Sequence, residues 1–206
     1  MVITEARSRA IGREIASLDR RFAEVVERFG PCPIGTYRPK SSNFESLARS
    51  ILSQQLSTKA ARTISARVTE IAGGRLEPRA ISRLSTARLR SAGCSASKAR
   101  SLLELAEAIN NGDLPIRGLS RMADIEIEAA LLPLHGIGKW TIEMFMIFQL
   151  GRQDVWPVGD LGVRRGWERI HRLSDEISMA ELSKKGTKFA PNRSHLAWYC
   201  WRALDL

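Results

Sequence analysis

Residues that hold metals or form disulfides are scarce in this sequence of 206 residues. Its three cysteines, Cys32, Cys94 and Cys200, are odd in number, far apart and never at C-x-x-C spacing. That pattern argues against a disulfide framework, a four-cysteine iron–sulfur cluster and a zinc knuckle. The three histidines are scattered and show no spacing typical of a metal site. We therefore expect buried free thiols in a reducing compartment, and no redox or organic cofactor.

Long apolar runs are missing as well. No apolar stretch reaches the length of about 18 residues that a membrane-spanning helix needs. The charged residues Glu5, Arg7 and Arg9 crowd the N-terminal segment, where a secretory signal would have an apolar centre. The sequence therefore predicts neither a membrane span nor a signal peptide.

Alternation of apolar and polar residues, the pattern of β-strands, is nearly absent. Apolar residues recur instead at helical spacing. Between Ile11 and Phe29 they follow at intervals of four, three, four, three and four, which predicts one long helix over residues 3–29. Similar patterns continue along the chain, and Pro191 is expected to begin the last helix. We predict an all-α fold.

Positive charge is in excess. The 32 lysines and arginines outnumber 22 aspartates and glutamates, so that the formal net charge is +10. This excess favours a polyanionic partner. Many basic proteins bind no nucleic acid, however, so charge alone leaves the partner open.

The segment from Leu131 to Asp160 reads as a helix end, a tight turn, a helix, a loop and a carboxylate that opens another helix. Pro133 ends the first helix, because its ring cannot continue the hydrogen-bond ladder. Gly136 and Gly138 supply a sharp hairpin, and Lys139 opens the next helix. Amide groups exposed at a helix start beside a lysine suit an anion such as phosphate. Most G-x-G pairs are nevertheless ordinary turns.

Four segments taken together carry a family resemblance. They are SILSQQLSTKAA (50–61), GCSASKARSLLELA (93–106), LPLHGIGKWTIEMFMIF (132–148) with PVGDLGVRRGW (157–167), and APNRSHLAWYCWR (190–202). In this order they resemble the helix-hairpin-helix DNA glycosylase superfamily, and specifically its DNA-3-methyladenine glycosylase II family. The resemblance implies two helical lobes that flank a DNA-binding cleft. One lobe is expected to span 43–152 and carry the helix-hairpin-helix; the other combines 1–42 with 153–206.

Asp160 suits the N-cap of a helix, because its carboxylate can accept amide hydrogen bonds. The resemblance implies that it is also catalytic. A fixed carboxylate stabilises the positive charge that develops on a sugar during glycosidic cleavage, and it can orient or deprotonate a water molecule. Bifunctional relatives have a nucleophilic lysine where this chain has Trp140, which cannot form an imine. The resemblance thus favours a monofunctional enzyme, although a shift of one residue would make Lys139 the nucleophile.

The resemblance also implies a base pocket. Trp140 and Trp201 correspond to its aromatic walls, and an indole face attracts an electron-poor alkylated purine. Met144, one turn after Trp140, is a further candidate, although methionine at helical spacing is more often core. Arg193 precedes the last helix, where it could contact phosphate or pair with a carboxylate.

Contacts with DNA are expected from the hairpin residues Gly136, Gly138 and Lys139 and from a second turn that holds Gln54 and Gln55. Gln55 corresponds to the side chain that fills the gap left when a base is extruded from the duplex. Relatives also bind a monovalent cation, Na⁺ or K⁺, through hairpin carbonyls. By position these would belong to Leu132, Leu134 and Ile137.

The expected function is hydrolysis of the N-glycosidic bond of alkylated purines in double-stranded DNA by base flipping, which begins base excision repair. Two alternatives stay open: a non-catalytic module that binds damaged or bent DNA, and a related glycosylase for deaminated or oxidised bases. We expect a cytoplasmic monomer, associated with the nucleoid if the source is bacterial.

Overall fold

The computed structural model describes residues 2–206, and within them the protein is entirely helical, which confirms the all-α prediction. No helix in this range is both long and apolar enough to cross a membrane. The α-helices are α1 (Glu5–Leu18), α2 (Ala23–Phe29), α3 (Asn43–Ser53), α4 (Thr58–Ile71), α5 (Pro78–Ile81), α6 (Thr86–Ser91), α7 (Ala96–Asn111), α8 (Asp124–Leu131), α9 (Lys139–Met144), α10 (Leu161–His171), α11 (Met179–Gly186) and α12 (Arg193–Ala203).

Most helices begin at a hydroxyl or carboxylate cap that the sequence marks. The side chains of Ser57, Ser95, Ser178 and Asp160 each accept a hydrogen bond from the amide three residues later. Such a bond satisfies one of the amides that have no partner within the helix. Local residue choice thus fixes where α4, α7, α10 and α11 start.

The single helix predicted over residues 3–29 is wrong. The chain leaves α1 at Asp19, whose backbone is extended, and makes a 3₁₀ turn over Arg20–Phe22 before α2. The Asp19 carboxylate accepts the amide hydrogen of Arg21, which offers the backbone an alternative to helix. The apolar spacing continues through the break, because Phe22 is fully buried although it lies in the 3₁₀ turn.

The chain forms two compact units. The first runs to Pro39 and resumes over Met146–Leu206, and the second is Lys40–Phe145. The first unit is built on an aromatic cluster, in which Trp167 packs against Phe22 and Phe189 with ring centroids 5.7 and 6.2 Å apart. The expected lobe boundaries, and a cleft between lobes, stay predictions.

Within the first unit, α10 and α12 pack with their backbones in close contact at Gly166. A methyl group at Gly166 would collide with the carbonyl of Cys200, so that only glycine fits this crossing. The thiol of Cys200 is fully buried there, and burial raises its pKa. All three cysteines are buried and free, as predicted.

In the second unit, α3 and α7 supply much of the apolar interior. Leu47, Ile51 and Leu52 of α3 are fully buried, as are Leu102 and Leu105 of α7. Each of these positions falls on one face of its helix, which is the pattern the sequence shows. This packing fixes the C-terminal end of α3, from which the Gln54–Gln55 turn follows.

Candidate functional site

Asp160 stands at the N-terminus of α10 with its carboxylate held by two donors. Its Oδ1 accepts a hydrogen bond of 2.8 Å from the amide of Val163 and another of 2.8 Å from the indole Nε1 of Trp201. The residue is partly exposed, so the carboxylate is fixed in place while it stays accessible. That combination suits a group that must act on a bound molecule.

Trp201 connects this carboxylate to an exposed aromatic surface. Its ring stacks on Phe148 with centroids 5.5 Å apart and an interplanar angle of 27°. Phe148 is 50% exposed, although the three residues before it are buried. Phe148 was not among the predicted site residues, because nothing in the FMIF segment distinguishes it from the core residues before it. A π-helical turn over Phe145–Gln149 changes the helical register there, and the sequence shows no signal for it.

An ion pair and a hydrogen bond hold the loop before Asp160 against the N-terminus of α12. Arg193 makes a bidentate pair with Asp154 at 2.7 and 2.8 Å, and the Asp154 hydrogen bond raises the pKa of the guanidinium. Ser194 Oγ accepts the amide hydrogen of Val155 at 2.9 Å. Of the two alternatives left open for Arg193, the pair with a carboxylate is observed, and the contact with phosphate stays a prediction.

The expectation that Pro191 begins the last helix is wrong, since α12 starts at Arg193. Ala190 is extended, as a residue before proline prefers to be. The amide of Arg193 donates to Asp154 from the neighbouring loop, at 3.3 Å. A side chain distant in sequence therefore sets the helix start, and the local pattern does not reveal it.

The hairpin between α8 and α9 has the predicted form at Gly136 and differs at Gly138. Gly136 has φ +76°, a conformation that favours glycine. A side chain added at Gly136 would collide with the hydroxyl of Ser101. Gly138 has an extended backbone at the N-cap of α9, with no capping side chain from the described part of the chain. No N-cap side chain therefore accepts a hydrogen bond from the first amides of α9. Lys139 pairs with Glu128 at 3.6 Å.

The two glutamines after α3 behave differently. Gln54 Nε2 donates to the hairpin carbonyl of Gly136 at 2.9 Å, which gives it a structural role in the second unit. Gln55 is exposed and has φ +56°. A non-glycine residue in this left-handed region is uncommon and is often associated with functional sites.

The proposed base pocket draws on both units. Trp140 is 50% exposed and Met144 partly exposed, both on α9 of the second unit, whereas Trp201 belongs to the first. A shared pocket of these three residues stays a prediction.

The cation site also stays a prediction. The carbonyl of Leu134 already accepts the amide hydrogen of Ile137 at 3.2 Å, and Leu132 is exposed. Over residues 2–206, no cluster of three or more histidine, cysteine, aspartate or glutamate side chains could hold a metal ion. Any cation at the hairpin would therefore depend on backbone oxygens.

Over residues 2–206 the chain is helical, and a glycine hairpin is followed by an accessible aspartate at a helix N-cap. This is the arrangement that the resemblance to helical DNA repair proteins implies. Residues 48–192 match the HhH-GPD superfamily of base excision DNA repair proteins, and the chain belongs to this superfamily. The resemblance noted from the sequence is thereby confirmed.

Individual proteins with related names are similar to this chain over most of its length. DNA-3-methyladenine glycosylase 1 of Schizosaccharomyces pombe is 34% identical over 200 residues, which covers 93% of this chain and 86% of the relative. The solved structure of that enzyme, Mag1, in complex with abasic DNA matches with a TM-score of 0.85 over 96% of this chain and 97% of the other. A DNA-3-methyladenine glycosidase from Bacillus halodurans has a TM-score of 0.83 at 33% identity, over 97% and 88% of the two chains.

Proposed function

We propose that this protein is a monofunctional DNA glycosylase of the 3-methyladenine type, which hydrolyses the N-glycosidic bond of alkylated purines in duplex DNA. The observation that carries the proposal is the Asp160 carboxylate, held by the Val163 amide and the Trp201 indole. Negative charge beside DNA weakens binding, so a protein that only bound DNA would gain nothing from it. The names of the relatives support the same substrate class.

The chemistry follows from this carboxylate. As the bond between C1′ and the base nitrogen breaks, the bonding electron pair leaves with the alkylated base and positive charge develops on the sugar. Asp160 stabilises that charge, and its hydrogen bonds keep it in position without reorganisation. A water molecule then adds to C1′, and Asp160 takes up the proton that it releases.

Trp140 supports the monofunctional assignment. It follows Lys139 in α9, at the position that, by the family resemblance, corresponds to the lysine nucleophile of the bifunctional type. An indole has no amine to attack the sugar, so no Schiff base forms and the strand stays intact. Lys139 pairs with Glu128, which gives its ammonium a role within the hairpin. The finer assignment to glycosylase II is part of the same proposal.

The experiment compares the native protein with Asp160→Asn on methylated duplex DNA, with the strands analysed before and after alkali. Asparagine keeps the size of the side chain and removes its charge. We expect base release by the native protein, nicks only after alkali, and a loss of release in the variant of at least about a hundredfold, as for other fixed charges at a reacting centre. Binding of the variant to abasic duplex DNA should persist.

Other results would contradict specific parts of the proposal. Nicks before alkali would make Lys139 a nucleophile and the enzyme bifunctional. Release from deaminated or oxidised bases alone would change the substrate class. Tight binding without release from any damaged duplex would indicate a binding module.

A further inference from the structure

Helix α7 contacts the hairpin and the C-terminal end of α3 through three of its side chains. Ser97 Oγ lies 3.1 Å from Nε2 of His135 in the hairpin, and Glu104 accepts the amide hydrogen of the same histidine at 3.2 Å. Lys98 extends to the end of α3, where its Nζ donates to the carbonyl of Leu52 at 2.8 Å. One helix thus connects the hairpin with the end of α3.

The Lys98 contact falls where α3 needs a partner. Carbonyls in the last turn of a helix have no amide to accept from within it. Leu52 is the penultimate residue of α3, and its side chain is fully buried. The ammonium of Lys98 satisfies this carbonyl and also suits the negative end of the helix. Burial lowers the pKa of Lys98, which reflects the cost of keeping the ammonium in this position.

Gln55 follows three residues after Leu52 in a backbone conformation that needs support. Its φ of +56° is disfavoured for a residue with a side chain. Such a conformation persists when the surroundings determine it. Two bonds do so here: Lys98 holds the carbonyl of Leu52 before the turn, and the hairpin carbonyl of Gly136 holds the Gln54 side chain within it.

We propose that Lys98 is a positioning residue, which sets the Gln55 turn so that Gln55 can occupy the space vacated by an extruded base. The inference rests on the proposed function. This role requires no contact between Lys98 and the base or the sugar. It acts through the carbonyl of Leu52 and the direction in which the chain leaves α3.

The test measures single-turnover base release from two duplexes that carry the same alkylated purine. In one the lesion is paired with its normal partner; in the other it is mismatched, so that less work is needed to extrude it. Lys98→Met should slow release from the paired duplex by about tenfold, the effect of losing one charge-assisted hydrogen bond. Release from the mismatched duplex should change much less.

The chain offers a matched control. Lys188 Nζ donates to the carbonyl of Leu18 at 3.0 Å, so it caps the end of α1 as Lys98 caps α3. Lys188→Met should lower the melting temperature and leave the ratio of the two release rates unchanged. Gln55→Ala should reproduce the ratio seen with Lys98→Met, and the double variant should be no worse than either one. Lys98→Arg, which keeps a cationic donor, should restore most of the paired rate.

Equal slowing on both duplexes would mean that Lys98 serves stability alone, and it would overturn the inference. So would full additivity between Lys98→Met and Gln55→Ala. If Lys98→Met does not fold, Lys98→Gln replaces it in the same comparison with the same criteria. A native protein that releases no base from either duplex would overturn the proposed function, and this inference with it.

Discussion

A single oxygen of Asp160 receives two hydrogen bonds, one from the backbone of its own helix and one from a side chain 41 positions later. The first keeps the aspartate at the N-cap. The second comes from Trp201 and holds the plane of the carboxylate. The Asp160 carboxylate is thus a helix cap that a second helix orients.

Replacement of Trp201 by phenylalanine tests the second bond. Trp201→Phe removes the indole N–H and keeps an aromatic ring to stack on Phe148. A hydrogen bond to a charged group contributes about 1.5–3 kcal/mol, so base release should slow by roughly ten- to a hundredfold. Single-turnover kinetics on methylated duplex DNA measure the effect.

The control for this substitution is Trp198→Phe, in the same helix. The ring of Trp198 contacts that of Tyr199, with centroids 5.0 Å apart, and the guanidinium of Arg202 lies over it; neither contact involves Asp160. Release by this variant should stay near the native rate. If Trp201→Phe also released base at the native rate, the indole bond would have no role in the chemistry.

Residue patterns in the sequence predicted part of this site. The P-V-G-D segment marks Asp160 as an N-cap, because that preference depends on neighbouring residues alone. The Trp201 bond and the partner of Arg193 depend on how α10, α12 and the loop before Asp160 pack together. Contacts of that kind have no local signature, and the exposed Phe148 follows from a π-helical turn that has none either.

At the scale of elements, the crossing of α10 and α12 positions the site. Asp160 begins one helix and Trp201 lies in the last turn of the other, so the separation of the two helices sets the distance between them. Gly166 permits that separation, because the backbone of Cys200 occupies the space of a side chain.

Gly166→Ala should therefore destabilise the protein. Overpacking of a filled interior costs typically about 1–3 kcal/mol, here against a rigid backbone. Urea denaturation measures the free energy of unfolding. Gly159→Ala is the control, since the nearest atom to its added methyl group is Met179 Sδ at 4.0 Å. Equal free energies of unfolding for the two variants would show that α10 and α12 can move apart without loss of stability.

The helices themselves were predicted well where a hydroxyl or carboxylate cap precedes an apolar face. The prediction was wrong at residues 3–29, where apolar spacing continued through a break. Periodicity reports which side chains are buried, and Phe22 is buried whether its backbone is helical or not. The competing hydrogen bond of Asp19 decides the backbone, and spacing alone does not show it.

At the scale of the whole molecule, a buried histidine links stability to pH. His195 is fully buried, and neither ring nitrogen has a hydrogen-bond partner within residues 2–206. Burial, with a smaller effect from Arg7, lowers its pKa from 6.5 to about 4. The unfolded chain therefore binds a proton at this residue more readily than the folded protein does.

The free energy of unfolding should accordingly keep the full contribution of neutral His195 above pH 6.5. It should lose this contribution as the pH decreases towards 4. A shift of this size corresponds to about 3 kcal/mol at most. His195→Leu removes the titrating ring, so its free energy of unfolding should depend less on pH across that window. Measurement of both proteins at pH 8 separates the packing effect of the substitution. Parallel curves between pH 6.5 and 4 would contradict the prediction.

The ion pair between Asp154 and Arg193 affects how the protein responds to ionic strength. It is bidentate, about two-thirds buried and electrically neutral as a unit, so dissolved ions screen it weakly. The attraction between DNA phosphates and exposed lysines and arginines is screened strongly. Added salt should thus release the nucleic acid long before it loosens the loop that carries Asp160, and a concentrated salt wash should return the enzyme with its carboxylate still in position.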